Sequence, residues 1–109
     1  MDNNTQSGKV VLSLSGRLDA SNAGEFGEKL TAAVAAPETK HVIVDCATLA
    51  YVSSAGLRVL LKAVRELRQR NGTLSLCAVN SAVQEVLKLA GFVSFLSIYP
   101  SVDECLKSK

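Results

Sequence analysis

Metal-binding patterns are the first thing missing from this chain. Its single histidine, His41, opens a strand-like run, and its three cysteines, Cys46, Cys77 and Cys105, lie far apart with no CxxC pair. A transition-metal site draws several such ligands together, so no metal and no metal-dependent chemistry is expected. The cysteines are odd in number, and two of them fall in strand-like runs where a thiol packs as a small hydrophobe. They read as reduced and structural, which points to the cytoplasm. Aromatic residues make up 5% of the chain and the formal net charge is only +2. Neither a base-stacking platform nor a strong basic field can be built from that, so nucleic acid is not expected as a partner. No apolar run approaches the length of a membrane span, and the start MDNNTQSGK lacks the apolar segment of a signal peptide.

What is present is an ordinary globular composition, 48% hydrophobic and 20% charged, on 109 residues. That length suits one compact domain and needs no staple to hold it together. Residues 1–8 are polar and are expected to be loosely held, with the domain proper running over 9–109. VVLSLSG alternates Val10, Leu12 and Leu14 against Val11, Ser13 and Ser15, the pattern of a half-exposed strand. Asp19, Ser21 or Asn22 then caps a helix whose inner face is Phe26, Leu30, Ala33 and Val34 and which Pro37 ends; Glu25 strengthens the claim of Asn22. HVIVDC, residues 41–46, is a continuous β-branched run, as in strands covered on both faces. Asp45 closes that run and is expected to fix the following loop, LAYVSSAG, as a hydrogen-bond acceptor.

A second helix follows, with Leu57, Leu60, Leu61, Val64 and Leu67 inward and Arg58, Lys62, Arg65, Arg68 and Arg70 on its outer, basic face. Asn71-Gly72 stops it. TLSLCAV is a further strand, Asn80 or Ser81 caps a third helix ending at Gly91, VSFLSIY is a last strand, and Ser101 with Glu104 forms a capping box for a short final helix. The order β-α-β-α-β-α-β-α predicts an α/β domain: a mixed, mostly parallel sheet of four to five strands with about four helices. Sites in such sheets lie beyond the carboxyl ends of the strands, which is where Ser53 and Ser54 stand.

Enzyme signatures are missing: no phosphate-cradling GxxxxGKS or GxxxxGKT, no GxGxxG and no GxSxG. His41 is the only histidine available to activate Ser54, and a six-residue strand of roughly 20 Å separates them, so catalysis by this chain alone is not expected. Two readings of the serines remain. One of them caps the helix by accepting backbone N–H bonds. Alternatively, the orphan N–H groups and the positive end of the helix dipole make this a place that accommodates a phosphoryl group, whose charge would change a docking surface in one step. The basic helix face is either a solvated face or a surface for an acidic partner.

GRLDA at 16–20, VIVDCATLAYVSSAGLRVLL at 42–61 and NGTLSLCAVNSAVQEVLKLAGF at 71–92 carry a family resemblance in their order and spacing. The chain resembles a STAS domain, and most of all the free-standing anti-sigma-factor antagonists of bacterial partner-switching systems, from about residue 9 to residue 107. In that family the helix start reads Asp-Ser-Ser/Thr-Gly-Leu, and the hydroxyl after the acid is phosphorylated. Here Ser53 falls on the acid, Ser54 on the acceptor, Ala55 on the next hydroxyl, and Gly56 and Leu57 match. The resemblance implies that Ser54 is the phosphorylation site, with Ser53 as second choice. It also implies a docking surface of Ser53, Ser54, Ala55, Gly56, Leu57 and Arg58. Asp19 and Ser21 either cap the first helix or border that surface. Gly56, in the first turn, is expected to let a neighbouring backbone or a partner come close.

The implied cycle is an anti-sigma-factor serine kinase of the GHKL ATPase type that binds the unphosphorylated domain and phosphorylates it to release it. A PPM-type phosphatase resets it. ATP belongs to the kinase, so no cofactor is implied for this chain. The alternative is a STAS module that senses a small ligand or scaffolds a regulatory complex without phosphorylation.

Overall fold

The computed structural model describes residues 4–6, 8–91 and 96–108. Strands β1 (Asn4–Gln6), β2 (Lys9–Leu18), β3 (His41–Val52), β4 (Thr73–Cys77) and β5 (Ser97–Tyr99) form one sheet in the order β1-β2-β3-β4-β5. β1 pairs antiparallel with β2, and every other pair is parallel. Helices α1 (Ala23–Ala35), α2 (Ser54–Arg68), α3 (Ser81–Leu89) and α4 (Val102–Ser108) follow β2, β3, β4 and β5. The α/β class and the mixed, mostly parallel sheet are therefore as expected.

The sheet's two faces are covered unequally. Val10, Leu12 and Leu14 of β2 and Val42 and Val44 of β3 pack with Phe26 and Leu30 of α1, Leu60, Val64 and Leu67 of α2, and Val83 and Leu87 of α3. Ile43, Cys77 and Cys105 form a second, small cluster beneath α4. β3 is thus covered on both faces, as its β-branched run predicts. All three thiols are buried and none is in a disulfide, and desolvation pushes Cys46 and Cys77 up to about 12, which keeps both protonated at neutral pH.

Four sequence expectations differ from the structure. First, Asn4–Gln6 adds an edge strand within the segment expected to be loose; its ladder is made by the backbone, which polar side chains do not announce. Second, β3 does not stop at Cys46 but runs to Val52, so Asp45 lies inside the strand and most of LAYVSSAG is not loop. Third, Arg70 is not part of the exposed basic face. The chain turns at Asn71, whose φ is 60°, and Gly72 N–H donates to Leu67 O at 2.7 Å, the closing bond of the helix. Arg70 swings back there and its guanidinium donates to the carbonyls of Val34, Ala36, Pro37 and Thr39, clasping the C-terminal end of α1. Fourth, Asn22 sits at the start of α1 but does not cap it with its side chain. Of the VSFLSIY strand, residues 97–99 form β5, and residues 93–95 lie outside the described residues.

Candidate functional site

β3 reaches the site by way of two bulges. Ser13 pairs with Asp45 and Ser15 with Thr48, then Gly16 with Leu49 and Arg17 with Tyr51, so β3 gains one residue on β2 at each step. The Asp45 carboxylate accepts from Ala47 N–H at 3.1 Å and fixes the first bulge, so it is the expected acceptor acting within a strand. Gly16, with φ +73°, supplies the left-handed backbone that β2 needs opposite these irregularities. β2 and β3 then end together, Leu18 beside Val52, and Ser53 N–H donates to Leu18 O at 2.8 Å.

That last bond sets Ser53 in an extended conformation at the start of α2, where its Oγ accepts from Gly56 N–H at 3.3 Å and its carbonyl from Leu57 N–H at 2.9 Å. Ser53 is the cap. Ser54, the first helical residue, is exposed, and its hydroxyl has no hydrogen-bond partner among the described residues. The backbone N–H groups of Ser54 and Ala55 are likewise without partners among those residues, as the first turn of a helix leaves them. A free hydroxyl thus stands beside free donors at the positive end of a helix dipole.

The other expected contact residues divide. Arg58 is exposed; Ala55 and Leu57 are half-buried and lean on the core. Gly56, expected on the outer surface with them, does not reach it. It is buried, and a Cβ there would lie 2.7 Å from Leu18 Cγ and 3.1 Å from Leu18 O, so the glycine lets α2 start against the end of β2.

The chain leaves β2 at Leu18, whose carbonyl holds the Ser53 N–H, so the turn that carries Asp19 and Ser21 begins next to the residue that seats Ser53. Asp19 Oδ1 accepts from Ser21 Oγ at 2.5 Å and Ser21 N–H at 3.0 Å, and these bonds hold its carboxyl below the usual value of 3.8. Asn22 Oδ1 accepts from Asp19 N–H at 2.9 Å and its Nδ2 donates to Arg17 O, so Asn22 braces the turn and leaves α1 to be opened by the Asp19 carbonyl, which accepts from Ala23 N–H at 2.8 Å. Neither side chain of Asp19 or Ser21 caps α1.

Two features escaped the sequence reading. Arg17 lies 4.4 Å over the Tyr51 ring and 3.4 Å from Asp19 Oδ2, a stack that joins β3 to the Asp19 turn. Their meeting depends on the second bulge, which no periodicity reveals. Asn80 caps α3 by accepting from Val83 N–H at 2.8 Å, and its Nδ2 also donates to Leu49 O at 2.9 Å, tying α3 to the same stretch of β3. Its cap role is legible in sequence; its reach to β3 is not.

His41 stands at the other end of β3 from Ser54, with Nδ1 2.8 Å from Thr73 Oγ1. Away from the serines, a groove of about 480 Å³ runs between α1 and α2, floored by Leu30 and Ala63 and rimmed by Glu28, Lys62 and Glu66. Among the described residues, no helix is long and apolar enough to cross a membrane.

The layering, the parallel sheet and the hydroxyl-bearing helix start define a small α/β domain of the STAS type. Residues 1–105 match the STAS domain family, and the chain belongs to that family. It is 40% identical over 93 residues to BtrV of Bordetella bronchiseptica, a candidate anti-sigma factor antagonist by name, covering 85% of this chain and 77% of that protein. In fold it is similar to an anti-sigma factor antagonist of Mycobacterium paratuberculosis, with a TM-score of 0.85 and 24% identity over 97% of this chain and 89% of the other. It is similar also to the Bacillus cell fate determinant SpoIIAA in its phosphorylated form, with a TM-score of 0.78 and 20% identity over 97% and 96% of the two chains.

Proposed function

We propose that this chain is an anti-sigma-factor antagonist that works as a phosphorylation-controlled switch in the cytoplasm. Unphosphorylated, it binds a serine kinase of the GHKL ATPase type through the start of α2 and the Asp19 turn. The kinase transfers the γ-phosphoryl group of its ATP to Ser54 Oγ: a P–O bond forms to the serine, the bond to ADP breaks, and the hydroxyl proton passes to the kinase. The phosphorylated chain lets go, and a PPM-type phosphatase hydrolyses the ester to reset it. The chain itself is not an enzyme and uses no cofactor.

One observation carries this reading: the two serines divide the labour. Ser53 does the capping, so Ser54 is free to be modified without unravelling the helix. The neutral Ser53 does the structural work of an acidic cap, since either side chain can accept the Gly56 N–H. The names of the relatives and the phosphorylated SpoIIAA fold support the same assignment.

The test pairs Ser54→Ala with Ser54→Asp. Both should fold, because the hydroxyl is unbonded and a carboxylate is favourable at a helix N-terminus. Ser54→Ala should bind the kinase and stay bound. Ser54→Asp should bind more weakly by orders of magnitude, since a carboxylate desolvated against a partner costs several kcal/mol. Mass spectrometry of the wild-type chain after incubation with kinase and ATP should place one phosphoryl group on Ser54. Equal affinities for the two variants, or phosphate on Ser53 alone, defeats the assignment. The second reading, a STAS module that senses a small ligand, draws on the groove between α1 and α2 and requires that an active kinase leave the chain unmodified.

A further inference from the structure

The outer face of α2 carries charge of one sign. Arg58, Lys62, Arg65 and Arg68 are exposed, follow each other at three- and four-residue spacing, and have no ion-pair partner among the described residues. No Asp or Glu occurs between Asp45 and Glu66, and Glu66 is half-buried on the groove side of the helix. Ser54 opens the same line, with Arg58 one turn on, Lys62 two turns on and Arg65 three. The other helices do not share this bias: α1 exposes Glu25, Glu28 and Lys29, and α3 exposes Glu85 and Lys88. Like charges three or four residues apart on a helix oppose its formation; the negative end of the helix dipole offsets this for Arg65 and Arg68, and Glu66 one turn on offsets it for Lys62, whereas Arg58, next to Ser54, has no such offset.

We propose that this row is a docking strip for an acidic helical surface of a protein partner, and that phosphorylation of Ser54 acts largely by cancelling its charge. The inference rests on the switch reading, and adds the sign of the surface that the partner presents. A phosphoserine carries nearly two negative charges. Placed at the head of the row, it offsets about half of the four positive ones. The field that draws an acidic partner in is then halved at the point where the two surfaces meet. A strip one helix wide, with half-buried Leu57 and Leu61 along one side, suits a partner helix that is acidic and has one apolar edge. Four cations are few for holding a nucleic acid at physiological salt, and Leu57 and Leu61 lean on the domain's own core and are not free to enter a bilayer.

The experiment compares Arg58→Glu/Arg65→Glu with Lys88→Glu, an exposed reversal on α3, for binding to the GHKL kinase that captures the unphosphorylated chain. At low salt the double reversal should weaken binding at least about thirty-fold, mainly in the association rate, while Lys88→Glu stays within about two-fold. Wild-type affinity should fall steeply with added salt, and the salt dependence should flatten once Ser54 is phosphorylated. Reversal variants that match Lys88→Glu, or a salt-independent affinity, overturn the strip while leaving the switch intact. If no kinase binds the wild-type chain, the switch reading falls, and the strip is judged by a second measurement. In that arm, ¹⁵N-labelled chain is titrated with a synthetic amphipathic helix bearing a row of glutamates. Amide shifts confined to residues 54–68 support the strip. Shifts that are absent or scattered overturn it, as does preferential binding to phosphatidylglycerol vesicles.

Discussion

Gly56 offers a sharp test of how α2 is seated, because the same substitution at a second glycine should act with the opposite sign. At Gly56 a new Cβ would stand 2.7 Å from Leu18 Cγ, 2.9 Å from Cδ2 and 3.1 Å from the Leu18 carbonyl. Leu18 is wholly buried, and its carbonyl accepts the Ser53 N–H at 2.8 Å, so neither side chain nor backbone has room to retreat. Overpacking of this kind costs roughly 1–3 kcal/mol. The gain from replacing a helical glycine is at most about 1 kcal/mol, and less in a first turn. Gly56→Ala should therefore destabilise by about 1–2 kcal/mol.

At Gly27, in the middle of α1, the added Cβ would meet only the Val59 methyls at 3.5 Å, ordinary contact. There the propensity gain stands alone, and Gly27→Ala should stabilise by about 0.5–1 kcal/mol. At roughly 4 °C per kcal/mol for a domain of this size, the two variants should separate by about 6–12 °C in a calorimetric or circular-dichroism melt. If Gly56→Ala melts at or above the wild-type temperature, the close seating of α2 on β2 is wrong. If Gly27→Ala also loses stability, the propensity argument is wrong and not the packing one.

Ser53→Ala removes the α2 cap and should cost about 1 kcal/mol in chemical denaturation, whereas Ser54→Ala should leave the midpoint nearly unchanged; equal losses would mean that both hydroxyls cap. Arg70→Ala frees four carbonyls at the end of α1 and should cost about 2 kcal/mol, with Arg70→Lys recovering only part because an ammonium lacks the fork geometry; a surface-like change below 0.5 kcal/mol would refute the clasp. The Asp19 carboxyl is held below its usual 3.8 by Ser21, so its charged form favours the folded state above that pH, and the contribution is lost as pH falls through the lowered folded value. Asp19→Asn should accordingly flatten the acid limb of a melting curve recorded from pH 6 to pH 2.5, and an unchanged limb would dismiss the turn as a source of acid sensitivity.

The fold was legible wherever side chains carried the pattern. Val42, Ile43 and Val44 announced a strand covered on both faces, and Phe26, Leu30, Ala33 and Val34 announced the buried stripe of α1. Reading failed where the backbone or a distant partner did the work. Residues 47–52 look like loop because each bulge breaks the alternation that marks a strand, and their pairing is with β2, far away in sequence. Arg70 fits the exposed arc of the helix if α2 is extended to include it, and only the position of the α1 end shows that it turns back. At the site, the serine pair was visible as a helix start. Which hydroxyl was occupied depended on the bond from Ser53 to Leu18, a tertiary contact. Gly56 could be read as a place where a neighbouring backbone or a partner comes close; that the neighbour is Leu18 of β2 depends on a tertiary contact.

The paired bulges of β3 constrain how this stretch can change in length. Side chains alternate along an unbroken strand, so a residue added without a bulge would turn everything after it to the opposite face. Each bulge instead absorbs its extra residue opposite a single residue of β2, and Leu49 after the first and Val52 after the second both stay in the core with Val42 and Val44. The bulges are slack in the arm that ends at Ser53. Deleting one or two residues between Ala47 and Tyr51 should be taken up by the loss of one or both bulges, with Val52 still beside Leu18. A third deletion has no slack left to draw on and should pull the Ser53 N–H away from the Leu18 carbonyl.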